Sequence, residues 1–294
     1  MPETIACEGS VAELTNALNI LGTIKEMKTD MTDDQMNTIL RRLEDSDESI
    51  TEFGPSWSQG RAAFGGLVGA FASLSMRKLI QKKKPIRSFM ASFIAPTPAG
   101  QIKTKAYIQR QGKSVTQCSS SVYSEDGDLC LQAMGVFGNA RQTLNVQPRD
   151  DFQPISKKDG IPFSKAKRFP QFLKNYDGCW VGPGMPGSGA SETLAMWVKH
   201  RCDMSKFPAE SILAIADMPP PVLLSYFTDR TIPASSVTWS VEFLIEPDSF
   251  THDWFYLEFK MDGAKDGYTQ QSGRIYTEDG VLCALTRQCM VYFE

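Results

Sequence analysis

The sequence lacks the patterns that identify several common protein classes. It has only two histidines in 294 residues, and no HExxH or clustered Cys/His pattern that would hold zinc. Its formal net charge is −3, so no general basic field attracts nucleic acid. The most apolar stretch, residues 62–76, is shorter than the roughly 20 residues that cross a bilayer. We therefore expect no metal, no other cofactor, no nucleic acid partner and no membrane span.

The cysteines also lack the arrangement of a disulfide framework. They number seven and form no CxxC pair. Cys130, Cys283 and Cys289 lie in apolar, strand-like runs, where a free cysteine usually behaves as a small buried hydrophobe. The first residues have neither the basic start nor the apolar core of a signal peptide. These features favour a reducing cytoplasm as the compartment.

What the sequence does contain is a long repeat. The segment VYSEDGDLC at 122–130 returns as IYTEDGVLC at 275–283, an offset of 275 − 122 = 153 residues. Both copies have β-forming residues around a Glu-Asp-Gly reversal, and Asp-Gly favours a hairpin because glycine accepts a positive φ. FIAP at 93–96 is echoed by LIEP at 244–247, an offset of 247 − 96 = 151. We expect two tandem domains of one fold, facing each other as dimer subunits would.

Each copy combines one buried helix with a run of strands. Residues 64–76 are apolar on nearly every side, which is typical of a buried helix. Such a helix needs a sheet wrapped around it, which predicts an α+β unit. The second copy begins with a strand at 194–199, followed by the apolar segment 211–217, by Pro219 to Pro221 and by four strands. The strands expected in the first copy are 86–95, 101–109, 114–124 and 129–137.

We place the two repeated units at 51–138 and 191–294. Two segments lie outside them. Residues 1–50 predict a helical hairpin packed on the first unit or on a neighbouring subunit, with a capping box at Ser10 and a second helix beginning near Thr32. The second helix has Met36, Leu40 and Leu43 on one side. Residues 139–190, rich in Pro, Gly and Lys, predict a flexible linker. His200 and His252 belong to no recognisable nucleophile motif, so we expect surface roles for both.

Several motifs resemble those of the acyl-CoA thioesterase II family, a double-hotdog group. FGGLVG at 64–69 is similar to that family's entry to the first central helix, and FIAP followed by Gly100 to its strand-ending motif. QGKSV at 111–115 is similar to the hairpin that follows. The resemblance implies a tandem hotdog fold, in which an antiparallel sheet wraps a central helix in each half. It also implies an acyl-CoA substrate and a homo-oligomer.

The resemblance also implies a site in the second half, where a carboxylate, a hydroxyl and a glutamine hold a water against the thioester. The carboxylate falls on Asp217, placed at the head of the second central helix, the glutamine on Gln288 and the hydroxyl on Ser236. The family usually has Asp-His where Thr238 and Trp239 stand. Because Ser236 and Thr238 share a strand face by period two, Thr238 remains an alternative hydroxyl.

The first half offers glycines where the second half has these polar groups. Subtracting the offsets from Asp217 and Gln288 gives Gly66 and Gly135, which predicts one composite site between two diverged halves. The backbone N–H groups of Gly65 and Gly66 at a helix start are candidate oxyanion donors. We therefore expect hydrolysis of fatty acyl-CoA by an activated water.

Two other functions stay open from the sequence. A hydratase or dehydratase of acyl thioesters is disfavoured, because the Asn-Pro-x-His type of loop used by such hotdog enzymes is absent. A non-catalytic acyl-CoA-binding or scaffolding protein remains an alternative, since the Asp-His pair is missing and the N-terminal helical segment is unusual.

Overall fold

The structure is a computed structural model that describes residues 35–80, 84–146, 152–165, 170–228, 232–249 and 251–294. Its helices are α1 (Met36–Asp45), α2 (Gly65–Arg77) and α3 (Pro208–Ala216). Its strands are β1 (Ile50–Phe53), β2 (Ser58–Gln59), β3 (Ala62–Ala63), β4 (Ile86–Phe93), β5 (Gly100–Gln111), β6 (Val115–Ser124), β7 (Leu129–Gly138), β8 (Ile161–Pro162), β9 (Tyr176–Val181), β10 (Thr193–His200), β11 (Ala234–Phe243), β12 (Trp254–Lys265), β13 (Tyr268–Thr277) and β14 (Leu282–Tyr292).

Twelve of these strands form one continuous antiparallel sheet. The order is β1-β5-β6-β7-β4-β11-β14-β13-β12-β10-β9-β8. The first half contributes the first five strands, and the second half repeats the same order in reverse from β11 to β10. The halves meet where β4 pairs with β11, the equivalent strand of the repeat. This pairing gives the pseudo-twofold relation expected of a fused dimer and confirms the tandem hotdog α+β fold.

The two central helices lie on the concave, inner face of the sheet. Every residue of α2 from Gly66 to Met76 is buried, which confirms the helix predicted from its all-round apolar character. The start of α2 lies against the end of α3, because a Cβ on Gly66 would be 2.5 Å from the carbonyl oxygen of Ala214. Ser73, near the end of α2, bonds Glu210 near the start of α3. The helices are therefore antiparallel.

The two predicted hairpins have the same turn. In the first, the N–H of Ser124 donates to Asp128 O and that of Gly127 to Ser124 O, each at 3.0 Å. In the second, Thr277 and Gly280 make the matching bonds, also at 3.0 Å. Gly127 and Gly280 have φ of 88° and 92°, the left-handed conformation that the Asp-Gly pair predicts.

The second predicted N-terminal helix is present as α1. Met36, Ile39, Leu40 and Leu43 are fully buried, and the helix packs against α2 and β1 as part of the first half. Thr51 in β1 donates its hydroxyl to the carbonyl oxygen of Ile39 at 3.0 Å. The capping box at Ser10 and the start of the predicted helix at Thr32 lie outside the described residues.

Much of the predicted linker is packed, so the expectation of a flexible connection is wrong for that part, whereas residues 139–146 are exposed. Strand β9 extends the sheet of the second half by pairing with β10. The ring of Phe172 stacks on Phe64 at 4.0 Å between centroids. Phe152 packs on Tyr276 at 4.7 Å on the other face of the sheet. Proline and glycine set the path of this segment, while its aromatic side chains anchor it.

The described cysteines are unpaired thiols. Cys130 and Cys283 are buried as predicted, and Cys289 is partly exposed. Among the described helices, none is both long and apolar enough to cross a membrane.

Candidate functional site

The predicted carboxylate and glutamine meet on the inner face of the sheet. Gln288, on β14, donates from Nε2 to Oδ1 of Asp217 at 2.7 Å. Gln288 is only 1% exposed, and Asp217 as a whole residue is partly exposed. The side-chain amide of Gln288 bonds the side chains of Gln271 and Asp217. Its hydrogen bonds therefore do not serve to satisfy backbone groups of the sheet. The two residues form a polar pair in an otherwise apolar interior.

The surroundings of Asp217 make its ionised form unfavourable. Burial raises the pKa of this carboxyl from 3.8 to about 7, against the opposite effect of hydrogen bonds from the Gly66 N–H and from Gln288. Asp217 also follows the C-terminus of α3, where the helix dipole disfavours a negative charge. A carboxylate in this place costs stability, which is typical of a functional group.

The position of Asp217 on its helix corrects the sequence interpretation. It lies at the C-terminal cap of α3 and not at the head, because Pro219, Pro220 and Pro221 prevent the helix from continuing. The offset match to Gly66 is wrong for the same reason. Residues 78–85 connect α2 to β4, but residues 217–233 connect α3 to β11, so an offset taken from the sheet misaligns the helices. Gly66 is a neighbour of Asp217 and not its counterpart.

The predicted glycines at the start of α2 do face the carboxylate. A Cβ on Gly65 would lie 2.6 Å from Oδ2 of Asp217, so a larger residue has no room there. The two candidate oxyanion donors therefore differ, because the Gly66 N–H bonds the Asp217 carboxylate.

A bulge separates the two candidate hydroxyls. Ser236 pairs with the buried Met290, whereas Thr238 pairs with Cys289, and the register shifts between them at Val237. Paired residues point to the same face of a sheet, so Ser236 faces inward and the exposed Thr238 faces outward. The prediction that both share one face is wrong because the extra residue breaks the period of two. Met290, the partner of Ser236, is the next inward position after Gln288 on β14, two residues along the strand.

Aromatic rings close the site beside Gln288. Trp239, its partner on β11, is 2% exposed and donates from Nε1 to Thr286 Oγ1 at 2.9 Å. The Trp239 ring lies 6.4 Å from that of Phe93 and contacts α2 at Gly69, where a Cβ would be 2.6 Å from Cζ3. Trp239 therefore fills space between the halves, at a position where the resemblance led us to expect Asp-His.

Sequence analysis missed a second glutamine of the site. Gln271, on β13, is fully buried and donates from Nε2 to Oε1 of Gln288 at 2.8 Å. Gln271 pairs with Gln288 in the register, as Cys118 pairs with Gly135 in the first half. The same offset of 153 relates both positions, so a comparison of polar residues between the copies could have found Gln271. In the first half, Met76 fills the space beside Gly135.

A separate groove of about 580 Å³ lies on the outer face of the sheet. Thr238, Arg287 and Gln270 are among the residues that line it, and Asp217 and Gln288 are not. The groove is therefore not the space in front of the carboxylate, although Trp239 borders both.

The two histidines differ from each other. His252 is partly exposed and lies 3.3 Å from Asp279, in agreement with a surface role. The surface role predicted for His200 is wrong, because β10 turns it inward, where Nε2 lies 3.1 Å from the Ser211 carbonyl oxygen. Burial lowers the pKa of His200 to about 4. Neither histidine bonds Asp217 or Gln288.

Models of two protein domains match this chain. The acyl-CoA thioesterase N-terminal domain matches residues 53–138, and the acyl-CoA thioesterase C-terminal domain matches residues 149–292. The second match includes most of the segment predicted as a linker. A search of the curated protein sequences gives no match to this chain.

Solved structures share the fold at low sequence identity. A conserved hot dog protein of unknown function from Alicyclobacillus acidocaldarius has a TM-score of 0.73 and 18% identity, covering 83% of this chain and 92% of its own. A putative thioesterase II from Thermobifida fusca has a TM-score of 0.70 and 15% identity, and it also covers 83% of this chain and 92% of its own. An acyl-CoA thioesterase II from Mycobacterium marinum has a TM-score of 0.66 and 17% identity, covering 86% of this chain and 98% of its own. From both domain matches, in their order along the chain, this protein belongs to the acyl-CoA thioesterase II family.

Proposed function

We propose that this protein hydrolyses the thioester of fatty acyl-CoA by activating a water at Asp217. The observation that carries the proposal is the 2.7 Å bond between Gln288 and the Asp217 carboxylate, whose pKa burial raises to about 7. A general base works best when its pKa is near the pH of the reaction. A carboxyl with its ordinary pKa near 4 would be a much weaker base.

The residues divide the reaction between them. Asp217 takes a proton from water while the water oxygen bonds to the carbonyl carbon, and Gln288 and Ser236 orient the reactants. The start of α2, with the Gly65 N–H, stabilises the oxyanion through its free donors and dipole. The C–S bond then breaks, and the proton on Asp217 passes to the sulfur of CoA. One water is consumed, and the products are a free acid and a thiol.

Asp217→Asn tests the proposal. The change keeps the size of the side chain and removes the base, so we expect the rate of thiol release to fall by about 10²-fold or more. Asp253→Asn is the matched control, because Asp253 is an exposed aspartate that pairs with Lys199 at 2.6 Å. Release of free thiol from acyl-CoA substrates of several chain lengths is the measurement, and it also defines the preferred chain.

Three outcomes would contradict the proposal. Full activity in Asp217→Asn would remove the base from the mechanism. Binding of acyl-CoA by the wild type without turnover would favour a binding protein, and addition of water to an enoyl-CoA would favour a hydratase.

A further inference from the structure

Four groups of the second half form a closed hydrogen-bonded ring. The Val222 N–H donates to Oε1 of Gln271 at 3.0 Å. Gln271 donates to Gln288 at 2.8 Å, and Gln288 donates to Asp217 at 2.7 Å. Chain connectivity closes the ring, because Asp217 and Val222 are joined only by Met218 and three prolines.

The direction of every bond in this ring is fixed. A backbone N–H can only donate, so the atom of Gln271 that faces Val222 is its oxygen. Its NH₂ group therefore faces Gln288, which must accept through its own oxygen. The NH₂ group of Gln288 is then left to face Asp217. An isolated glutamine amide can turn over, but this one is held by a donor that cannot reverse.

The three prolines make the fixed donor rigid. Proline has no N–H and a fixed φ, so residues 219–221 offer no competing donor and little freedom. Val222 begins a short 3-10 helix, where the first N–H groups have no partner within the helix. The Val222 N–H donates instead to Oε1 of Gln271, in a buried hydrogen bond.

We propose that Gln271 is a positioning residue, which uses the Val222 N–H to hold the Gln288 amide with its NH₂ group toward Asp217. The inference rests on the proposed function, in which Asp217 must be ionised to act. With the amide reversed, an oxygen would face the carboxylate, and only a protonated Asp217 could bond it. Gln271 bonds the Val222 N–H and Gln288 and acts on Asp217 through Gln288.

Two variants of Gln271 test this role. Gln271→Met keeps the volume but removes both bonds, and we expect kcat/KM to fall about tenfold at high pH, where Asp217 is ionised, the value of one such hydrogen bond. The loss should be larger at lower pH, because less of Asp217 is ionised once the Gln288 amide is no longer held toward it. Gln271→Glu can mimic glutamine only while it holds a proton. When this carboxyl ionises it accepts from Gln288 and reverses the amide, so we expect activity to fall again at high pH, giving a bell-shaped profile.

Gln270 provides the matched control. It is the next residue on β13, it faces the outer groove, and its Nε2 contacts Cys289 Sγ at 3.0 Å. Gln270→Glu adds the same charge on the opposite face, so we expect the wild-type profile. If Gln271→Glu kept the wild-type profile and Gln271→Met kept wild-type activity, the positioning role would be refuted.

A second measurement does not depend on turnover. The carboxyl carbon of Asp217, assigned through Asp217→Asn, can be titrated by NMR in protein with ¹³C-labelled aspartate. We expect its midpoint to move to higher pH in Gln271→Met, because the Gln288 amide is no longer held toward it, and to stay unchanged in Gln270→Glu. If the wild type releases no thiol but the midpoint still moves in Gln271→Met, the positioning role of Gln271 is upheld while the proposed function fails. An unchanged midpoint in folded Gln271→Met would overturn the inference even in an active enzyme.

Discussion

Asp217 sets the pH dependence expected of the reaction. Burial raises its pKa to about 7, and only the ionised form can accept a proton from water. We therefore expect kcat/KM to rise about tenfold per pH unit below about pH 7 and to level off above it. Initial rates of thiol release between pH 5 and 9, corrected for spontaneous hydrolysis, measure this profile.

Thr238→Ala is a suitable control for this profile, because Thr238 is exposed on the other face of the sheet. It should reproduce the wild-type curve. A wild-type profile that is flat from pH 5 to 7 would show that the base is a different group or that chemistry does not limit the rate.

The same carboxyl makes stability depend on pH in the opposite sense. Because the folded pKa of Asp217 lies above its ordinary value of 3.8, the folded chain retains a proton that the unfolded chain has released. This contribution is complete below about pH 4 and is lost as the pH rises through about 7. We expect the unfolding free energy of the wild type, relative to Asp217→Asn, to decrease over this range in urea titrations.

Asp203 offers a comparison of opposite sign. Hydrogen bonds from Ser205 lower the pKa of Asp203 from its ordinary value of 3.8. The stability that this carboxylate contributes is therefore present above that pH and is lost only as the pH falls through the lowered pKa. Asp203→Asn should therefore leave the difference from wild type constant between pH 4 and 7. A constant difference for Asp217→Asn as well would contradict the raised pKa.

At the residue scale, sequence could predict which groups form the site but not how they are held. Asp217 and Gln288 are polar residues in apolar surroundings, and the resemblance singled them out. The role of Gln271 depends on the orientation of two amides, which the fold sets through the distant Val222 N–H. His200 is buried because α3 covers its side of β10, and the sequence does not indicate which side of that strand is covered.

At the scale of single elements, the bulge in β11 decides which hydroxyl can act. Ser236 faces inward beside Met290, and Thr238 faces the outer groove. We expect Ser236→Ala to lower kcat/KM about tenfold, the value of one hydrogen bond of roughly 1.5 kcal/mol. Thr238→Ala should stay within about twofold of wild type in the same thiol-release assay, since it removes no inward group.

The reverse result would be equally informative. A large loss in Thr238→Ala with an active Ser236→Ala would mean that β11 pairs one residue out of the register described, since such a slip exchanges the two faces. Ser236→Thr, which keeps the hydroxyl, should recover most of the activity lost in Ser236→Ala.

Elements were predictable where local pattern and burial agree. The all-round apolar run of α2 and the Asp-Gly turns each have one favoured structure, and both were predicted correctly. The bulge at Val237 has no glycine or proline to mark it, so alternation placed Ser236 and Thr238 on one face. The position of α3 relative to Asp217 was misjudged. Pro208 is its first residue and Pro219 follows its end, so Asp217 is at the end of the helix and not at its head.

At the scale of the whole molecule, the repeat predicted two facing halves but not how they are joined. The offset of 153 holds through the second hairpin and through the pair formed by Gln271 and Gln288, because β13 and β14 have the same register as β6 and β7 at these positions. It fails between helix and sheet, where the second half has a longer connection that supplies Asp217 and the three prolines. The site therefore arose where the two copies differ in length.

A partly buried ion pair between the central helices couples the halves, and its removal is our last prediction. Glu210 on α3 is fully buried, and its Oε1 accepts from Ser73 at 3.0 Å and from Arg77 Nε at 3.3 Å, both on α2. We expect Glu210→Ala to lower the unfolding free energy by about 2 kcal/mol, because two hydrogen bonds to a charged group are lost while Arg77 keeps Glu44 as a partner at 3.5 Å. Urea unfolding followed by fluorescence and circular dichroism measures the loss.

Arg87 and Glu246 provide the control, since they also join the two halves, at 2.8 Å, but Glu246 is exposed. Glu246→Ala should cost less than about 1 kcal/mol, because water screens this pair. Both optical probes should report one coincident transition in the wild type, since the sheet runs unbroken through β4 and β11. Equal losses in the two variants would place the coupling in the sheet alone, and separate transitions would mean that each hotdog unfolds by itself. In that case Asp217 would lose its contact with Gly65 before its own half unfolds, and activity would disappear at lower urea than the structure of the second half.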